Sequence, residues 1–148
     1  MSNDGGSLVT GLDETRRARM RQRLLSSVGG PMAVVRASES RWKRFLPGVS
    51  VRVLHEDPEQ GTQTALWKME PGARIPAHPH GCDEECYIFE GSLTHRGERY
   101  QAGDYMLAPA GSRHSSIRSP EGVLMLIRGE RLSLRERILL RTALALGR

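Results

Sequence analysis

The sequence predicts an all-β fold, a closed barrel or sandwich of short strands with a helix at each end. Three observations carry this. The chain is rich in turn formers, with 16 Gly and 8 Pro among 148 residues, which favours many short strands over a few long helices. From residue 31 onward, short apolar runs alternate with Gly/Pro turns at regular spacing, the pattern of a sandwich or barrel. Helical patterning is confined to the two ends.

Residues 1–11 are Gly/Ser/Asp-rich and read as a disordered tail. Residues 12–30 form a basic N-terminal segment with a helix over 12–27. Thr10 or Gly11 caps it, and Asp13 and Glu14 suit the positive end of its dipole. Met20, Leu24 and Val28 make a narrow apolar stripe, and Gly29-Gly30-Pro31 ends the helix. The barrel is expected over 31–130. Its strands are read at Val49–Leu54, at Thr64–Met69 (stopped by Pro71-Gly72), and at Cys86–Phe89. A turn at Glu90-Gly91-Ser92 leads to Leu93–His95, and a second at Arg96-Gly97-Glu98 follows. Tyr105–Ala108, Ser112–Arg118 and Val123–Arg128 complete the series. Residues 131–148 read as a C-terminal helix. Ser133 and Glu136 fit a capping box, and the apolar residues spread around the helix should pack on the barrel or on a second subunit.

One domain suits this length. The net charge of +5 sits at the ends: residues 1–45 carry +5, residues 46–127 carry −4 and residues 128–148 carry +4. No nucleic-acid motif accompanies the basic ends, which argues against that ligand class and for solvated arginines or an acidic protein partner. Cys82 and Cys86 are too few and too close for a disulfide framework and read as free thiols of a reducing compartment. No apolar run approaches the roughly 20 residues of a membrane span, and the N-terminus has no signal-peptide pattern. A cytoplasmic location is therefore expected.

Three of the five histidines fall into one pattern. Gly72, His78, His80, Glu84 and Gly91 read G-x5-H-x-H-x3-E-x6-G; Gly103, Pro109, Gly111 and His114 read G-x5-P-x-G-x2-H. On an extended strand His78 and His80 point to one side. Glu84 lies past a short turn at the start of the next strand, and His114 follows another turn. Three imidazoles and a carboxylate make a borderline donor set suited to Fe, Mn, Zn, Ni or Co. A metal of higher coordination number keeps open positions there for water or substrate.

At these residues the chain resembles the cupin superfamily, whose two motifs these are. The resemblance implies a jelly-roll (double-stranded β-helix) barrel of about six to eight strands, with short N- and C-terminal helices. It also implies one divalent metal ion (Fe, Zn, Mn or Ni) on His78, His80, Glu84 and His114. Arg118 stands where the family's second motif often has Asn, which bears on the barrel mouth. Val51–Glu56, Pro71-Gly72-Ala73, Asp83-Glu84-Glu85-Cys86, Glu90-Gly91 and Gly103-Asp104-Tyr105 further resemble the cupin domain of ChrR-type anti-sigma factors, over roughly 40–130. Those proteins also carry an N-terminal zinc domain with a His-x3-Cys-x2-Cys motif; residues 1–45 here contain no His and no Cys.

Other residues carry alternatives. Glu85 competes with Glu84 as ligand, although the motif spacing favours Glu84. His55 and His95 read as surface residues. Cys86 is a buried inert thiol or a redox-sensitive one near the metal, and Cys82 a further candidate ligand. Trp42, Phe45 and Trp67 read as packing. Tyr87 should face outward; Tyr105 lines the cavity or packs. Arg113 and Arg118 are solvated or hold an anionic substrate. Three functions follow: a metal-dependent dioxygenase or other small-molecule enzyme, a regulatory binding module in a stress or sigma-factor pathway, and a metal-free structural cupin. The expected partners are a small-molecule ligand, a second copy in a homodimer, and a protein reached through the basic helices, with neither nucleic acid nor membrane.

Overall fold

The computed structural model describes residues 14–27 and 32–131, with 138, 142, 145 and 146 beyond them. The expected N-terminal tail lies outside these residues. The chain divides into two units between Val34 and Val35. In the first, helix α1 spans Glu14–Ser27 with Glu14 in its first turn. Met20 and Leu24, two of the three residues of the narrow stripe, are 49% and 63% exposed, and Val28 lies outside the described residues. Most of the expected C-terminal helix also lies outside the described residues. Ile138, Thr142 and Ala145 are helical, and the Leu146 N–H donates to the Thr142 carbonyl at 3.0 Å. Among the described residues no helix is long and apolar enough to cross a membrane.

The second unit is a jelly-roll. Its strands are β1 (Lys43–Leu46), β2 (Val49–Asp57), β3 (Thr62–Met69), β4 (Arg74–Ile75), β5 (His78–Pro79) and β6 (Glu84–His95), then β7 (Glu98–Gln101), β8 (Tyr105–Ala108), β9 (Arg113–His114), β10 (Ile117–Arg118) and β11 (Val123–Glu130). Hydrogen bonds order them β1-β2-β3-β11-β6-β10-β4, with β7 and β8 also on β6, and β5 pairs β9 separately. All pairings are antiparallel.

Strand alternation sorts the side chains into two faces. Trp67, Met125 and Ile88 are paired across three strands, as are Ala65, Ile127 and Cys86, and these line the interior. One residue over, Leu66, Leu126, Tyr87 and Tyr105 form the matching outer row. Tyr87 and Tyr105 are 40% and 56% exposed. The core also takes in Phe45, Leu46, Val49, Val51, Met69 and Leu93. Phe45 meets Trp67 edge to face at 5.2 Å, whereas Trp42 is exposed.

The expected turn at Glu90-Gly91-Ser92 is not a turn. The segment Glu84–His95 is one twelve-residue strand that bends from one layer into the other. Its first half pairs with β8 and β11, its last four residues with β7, and Thr94 and His95 also with β10. The register against β11 slips at Phe89, which leaves that residue as a β-bulge. Gly91 follows with φ of 72°, and a Cβ there would run into the Gly122 carbonyl. The corner is locked by Ser119 Oγ donating to the Ser92 carbonyl at 2.7 Å and by Ser92 Oγ donating to Glu121 at 2.5 Å. The next turn is as read: Arg96 and Gly97 both have positive φ, the two-residue hairpin geometry that matches strand twist.

The bend generates a prediction. Gly91→Ala combines a left-handed backbone penalty with a backbone clash, so it should cost about 2–4 kcal/mol. Chemical denaturation followed by circular dichroism measures this, and an unchanged midpoint would contradict the corner's role.

Candidate metal centre

Local pairing builds the site. His78 lies directly opposite His114 in the β5–β9 ladder. The ladder extends past the strand ends, since the His80 N–H donates to the Ser112 carbonyl at 3.0 Å and the Gly111 N–H to the His80 carbonyl at 2.8 Å. Asp83 Oδ1 accepts the Ala110 N–H at 2.8 Å. The turn before Glu84 is thereby tied to the Pro109-Ala110-Gly111 turn. The two motifs, about thirty residues apart in sequence, are stitched by backbone hydrogen bonds before any ligand is considered.

The three imidazoles gather closely. Ring centroids are 4.3 Å apart for His78–His114, 4.7 Å for His80–His114 and 5.2 Å for His78–His80. One ligand atom from each of His78, His80, Glu84 and His114 lies within 4.8 Å of all the others. Atoms bound to one ion at about 2.1 Å stand up to about 4.2 Å apart, so the spread is slightly wider than a loaded centre demands.

The tautomers favour coordination. His78 Nδ1 donates to the Pro76 carbonyl at 2.9 Å, and His114 Nδ1 to the Ser115 carbonyl at 2.8 Å. Each bond places the proton on Nδ1 and leaves Nε2 with a free lone pair, the arrangement typical of metal-ligating histidines. The Nε2 atoms of His80 and His114 are buried with no hydrogen-bond partner. Buried polar atoms rarely go unpaired, and a cation between these rings would pair them. Glu84 stands 3.8 Å from His80 Nδ1 with 22% of its side chain exposed. Gly129 makes room for it, since a Cβ there would sit 3.1 Å from Glu84 Cγ.

The electrostatics agree. Burial, and then the neighbouring Glu130, pushes the Glu84 carboxyl up to about 7. Burial, and then His78, holds His114 down at about 4. Burial followed by His78 also lowers His80. Burial is the leading cause in each case, so the site disfavours each isolated charge. A dication bound to a deprotonated carboxylate and neutral imidazoles relieves that conflict.

A cavity of about 270 Å³ opens beside the cluster. His78, Glu84, His95 and His114 supply most of its polar wall, and Trp67, Ile75, Cys86, Leu93, Met106, Met125 and Ile127 are among the rest. Glu85 lies outside the cluster, with Arg128 at 3.3 Å. Cys86 does face inward. Burial, and then Glu84, pushes its thiol up to about 12, and it packs 3.7 Å from Met125 Sδ as a neutral group. Cys82 is half-buried, its Sγ 3.5 Å from the Asp83 carbonyl, and is not in the cluster. Arg113 and Arg118 are exposed and do not line the cavity, nor does Tyr105.

The reading of His95 is corrected. His55 is exposed, but His95 lines the cavity, its ring 5.5 Å from that of His114 and its Nε2 buried without a partner. Burial, and then Arg96, holds it below its ordinary range. The sequence places Leu93 and His95 two apart, on one face of a strand. That alternation does not say which face is the interior: the parity of Glu84 carried along the strand would turn His95 outward, and only the bulge at Phe89 reverses it.

The histidine assignments generate a prediction. In metal-free protein, the His114 ring should remain neutral at pH 5.5, as NMR of its ring protons would report. Protonation midway near 6.5 would contradict its burial. The linked effects on stability oppose one another. The contribution of His114 is present above 6.5 and lost as pH falls through about 4; that of Glu84 is present below 4.5 and lost as pH rises through about 7.

Comparison with known proteins fits this geometry. The ChrR cupin-like domain family matches residues 31–132. No curated protein matches the chain. Among solved structures, an RmlC-like cupin from Ralstonia eutropha aligns with a TM-score of 0.61 at 22% identity, over 68% of this chain and 69% of that one. A putative acetylacetone dioxygenase from Methylibium petroleiphilum aligns at 0.60 and 23%, over 68% and 77%. KdgF from a Halomonas species aligns at 0.57 and 21%, over 70% and 97%. At such identities these structures speak for the fold alone.

Proposed function

The chain belongs to the ChrR cupin-like domain family, and on that premise we propose that it holds one divalent metal ion on His78, His80, Glu84 and His114 and presents the open side of that centre to a small molecule. One observation carries the reading: four candidate ligands, three imidazoles and a carboxylate, converge within 4.8 Å, with the His80 and His114 Nε2 atoms buried and unpartnered. A structural zinc site is more often closed by cysteine, whereas here the donor set borders a cavity.

When bound, an ion of this class supplies Lewis acidity and a position for water or dioxygen. The remaining contributions come from the chain. The Pro76 and Ser115 carbonyls fix the orientation of two imidazoles, and apolar side chains make up much of the cavity wall. His95 places a nitrogen beside the ligand cluster without belonging to it. Of the enzyme classes, metal-dependent oxygenation of a small molecule is the one we favour. Two acetylacetone dioxygenases, one of them putative, are among the solved structures that share this fold.

Elemental analysis tests the centre. Wild-type protein should hold close to one transition metal per chain, and His78→Ala and His114→Ala should each lower affinity at least tenfold. Unchanged metal content in both variants would refute the site. Affinity should also fall as pH drops through 7, about tenfold per unit for each proton displaced, because a protonated Glu84 competes with the metal.

A second reading, a regulatory binding module, is favoured by the outer face. Tyr87, Phe89, Tyr105 and Leu107 are 40–56% exposed and adjacent on β6 and β8. Single monomers rarely show large contiguous apolar patches. Homodimerisation through this face predicts that Leu107→Arg shifts the mass seen by light scattering from dimer to monomer. A monomeric wild type would remove the homodimer from this reading.

A further inference from the structure

The cavity beside the cluster has a chemistry of its own. Its volume of about 270 Å³ lies just below the roughly 300–1,000 Å³ of drug-sized pockets, so its occupant is small. Among the described residues no lysine or arginine lines it. The arginines that the sequence offers for an anion, Arg113 and Arg118, are exposed elsewhere. Away from the cluster the wall is built mainly of aliphatic, methionine and aromatic side chains. Two lining residues break this apolar surface. Trp67 is 6% exposed, and its Nε1 is buried with no hydrogen-bond partner; His95 Nε2 is in the same condition. The third polar candidate, Tyr100, is already engaged, its hydroxyl donating to Glu98 at 2.8 Å. Indole nitrogen can only donate, and imidazole nitrogen donates or accepts according to tautomer. Leaving such buried atoms unpaired costs free energy, and both side chains border the same space.

We infer that this cavity binds a small, predominantly apolar molecule carrying one hydrogen-bonding oxygen, received by Trp67 Nε1 and His95 Nε2. The inference rests on the reading of the cluster as a metal centre and deepens it by naming the class of ligand. Apolar burial supplies the affinity, and the two nitrogens orient the oxygen beside His114. A polyol would strand its hydroxyl groups against the aliphatic wall, and it is rejected on that ground.

The test uses three neutral probes on the full chain, titrated by calorimetry, with metal content measured on each sample. Acetophenone has an apolar ring and one carbonyl, ethylbenzene has the same shape without the oxygen, and xylitol is a polyol. Acetophenone should bind about threefold to tenfold more tightly than ethylbenzene, the worth of one net hydrogen bond, and xylitol should not bind. Trp67→Phe and His95→Phe should each reduce the preference for acetophenone while ethylbenzene binding persists, a result that a misfolded variant could not give. Equal binding of the two aromatic probes in wild type, or binding of xylitol, would overturn the inference. A preference retained in protein that holds no metal supports the cavity assignment and refutes the metal centre alone. Metal held at one per chain with no preference refutes the cavity assignment and leaves the centre standing.

Discussion

A single strand crosses from one layer of the jelly-roll to the other, and the site is arranged around that crossing. The first half of β6 carries Glu84, Cys86 and Ile88 inward against β11. A bulge at Phe89 and a left-handed Gly91 then turn the strand, and its second half carries Leu93 and His95 to the same cavity. Without the bulge, strict alternation would send one half outward. The Gly122 carbonyl lies where any side chain at 91 would begin, so the bend requires glycine.

The second constraint is the short β5–β9 ladder. Each strand is two residues long, too little to hold itself. The added bonds at His80, Gly111 and Asp83 bring in the flanking turns. The three imidazoles are thus held mainly by backbone, and the Nδ1 protons of His78 and His114 go to carbonyls rather than to mobile side chains. Such preorganisation explains how the rings can be packed 4.3–5.2 Å apart, with the charged forms of His80 and His114 disfavoured by burial and then by His78.

The two faces of the main sheet divide the chemistry. The inner face joins a titratable cluster to an apolar chamber. The outer face carries Leu66, Leu126, Tyr87 and Tyr105 in one row across four strands. Both follow from the same period of two, and the paired rows show how register between strands distant in sequence sorts the residues of β3, β6, β8 and β11 onto the two faces.

The all-β class, the strands around Val49, Thr64, Tyr105 and Val123, and the gathering of His78, His80, Glu84 and His114 were legible in the residues. They depend on local alternation and on motif spacing, which a linear pattern carries in full. The choice of Glu84 over Glu85 was legible for the same reason, since parity separates neighbours. What only the tertiary structure decided involves contacts distant in sequence. Gly91 looks like a turn until β11 is seen pairing up to it and β7 immediately beyond it, and His95 looks like a surface residue until the bend carries it inward. Arg113 and Arg118 could be solvated or hold an anion until the structure places both at the surface, away from the cavity. A strand's period determines which residues share a face, but which face becomes the interior after a bulge is set by the partner strand, and no local pattern contains that information.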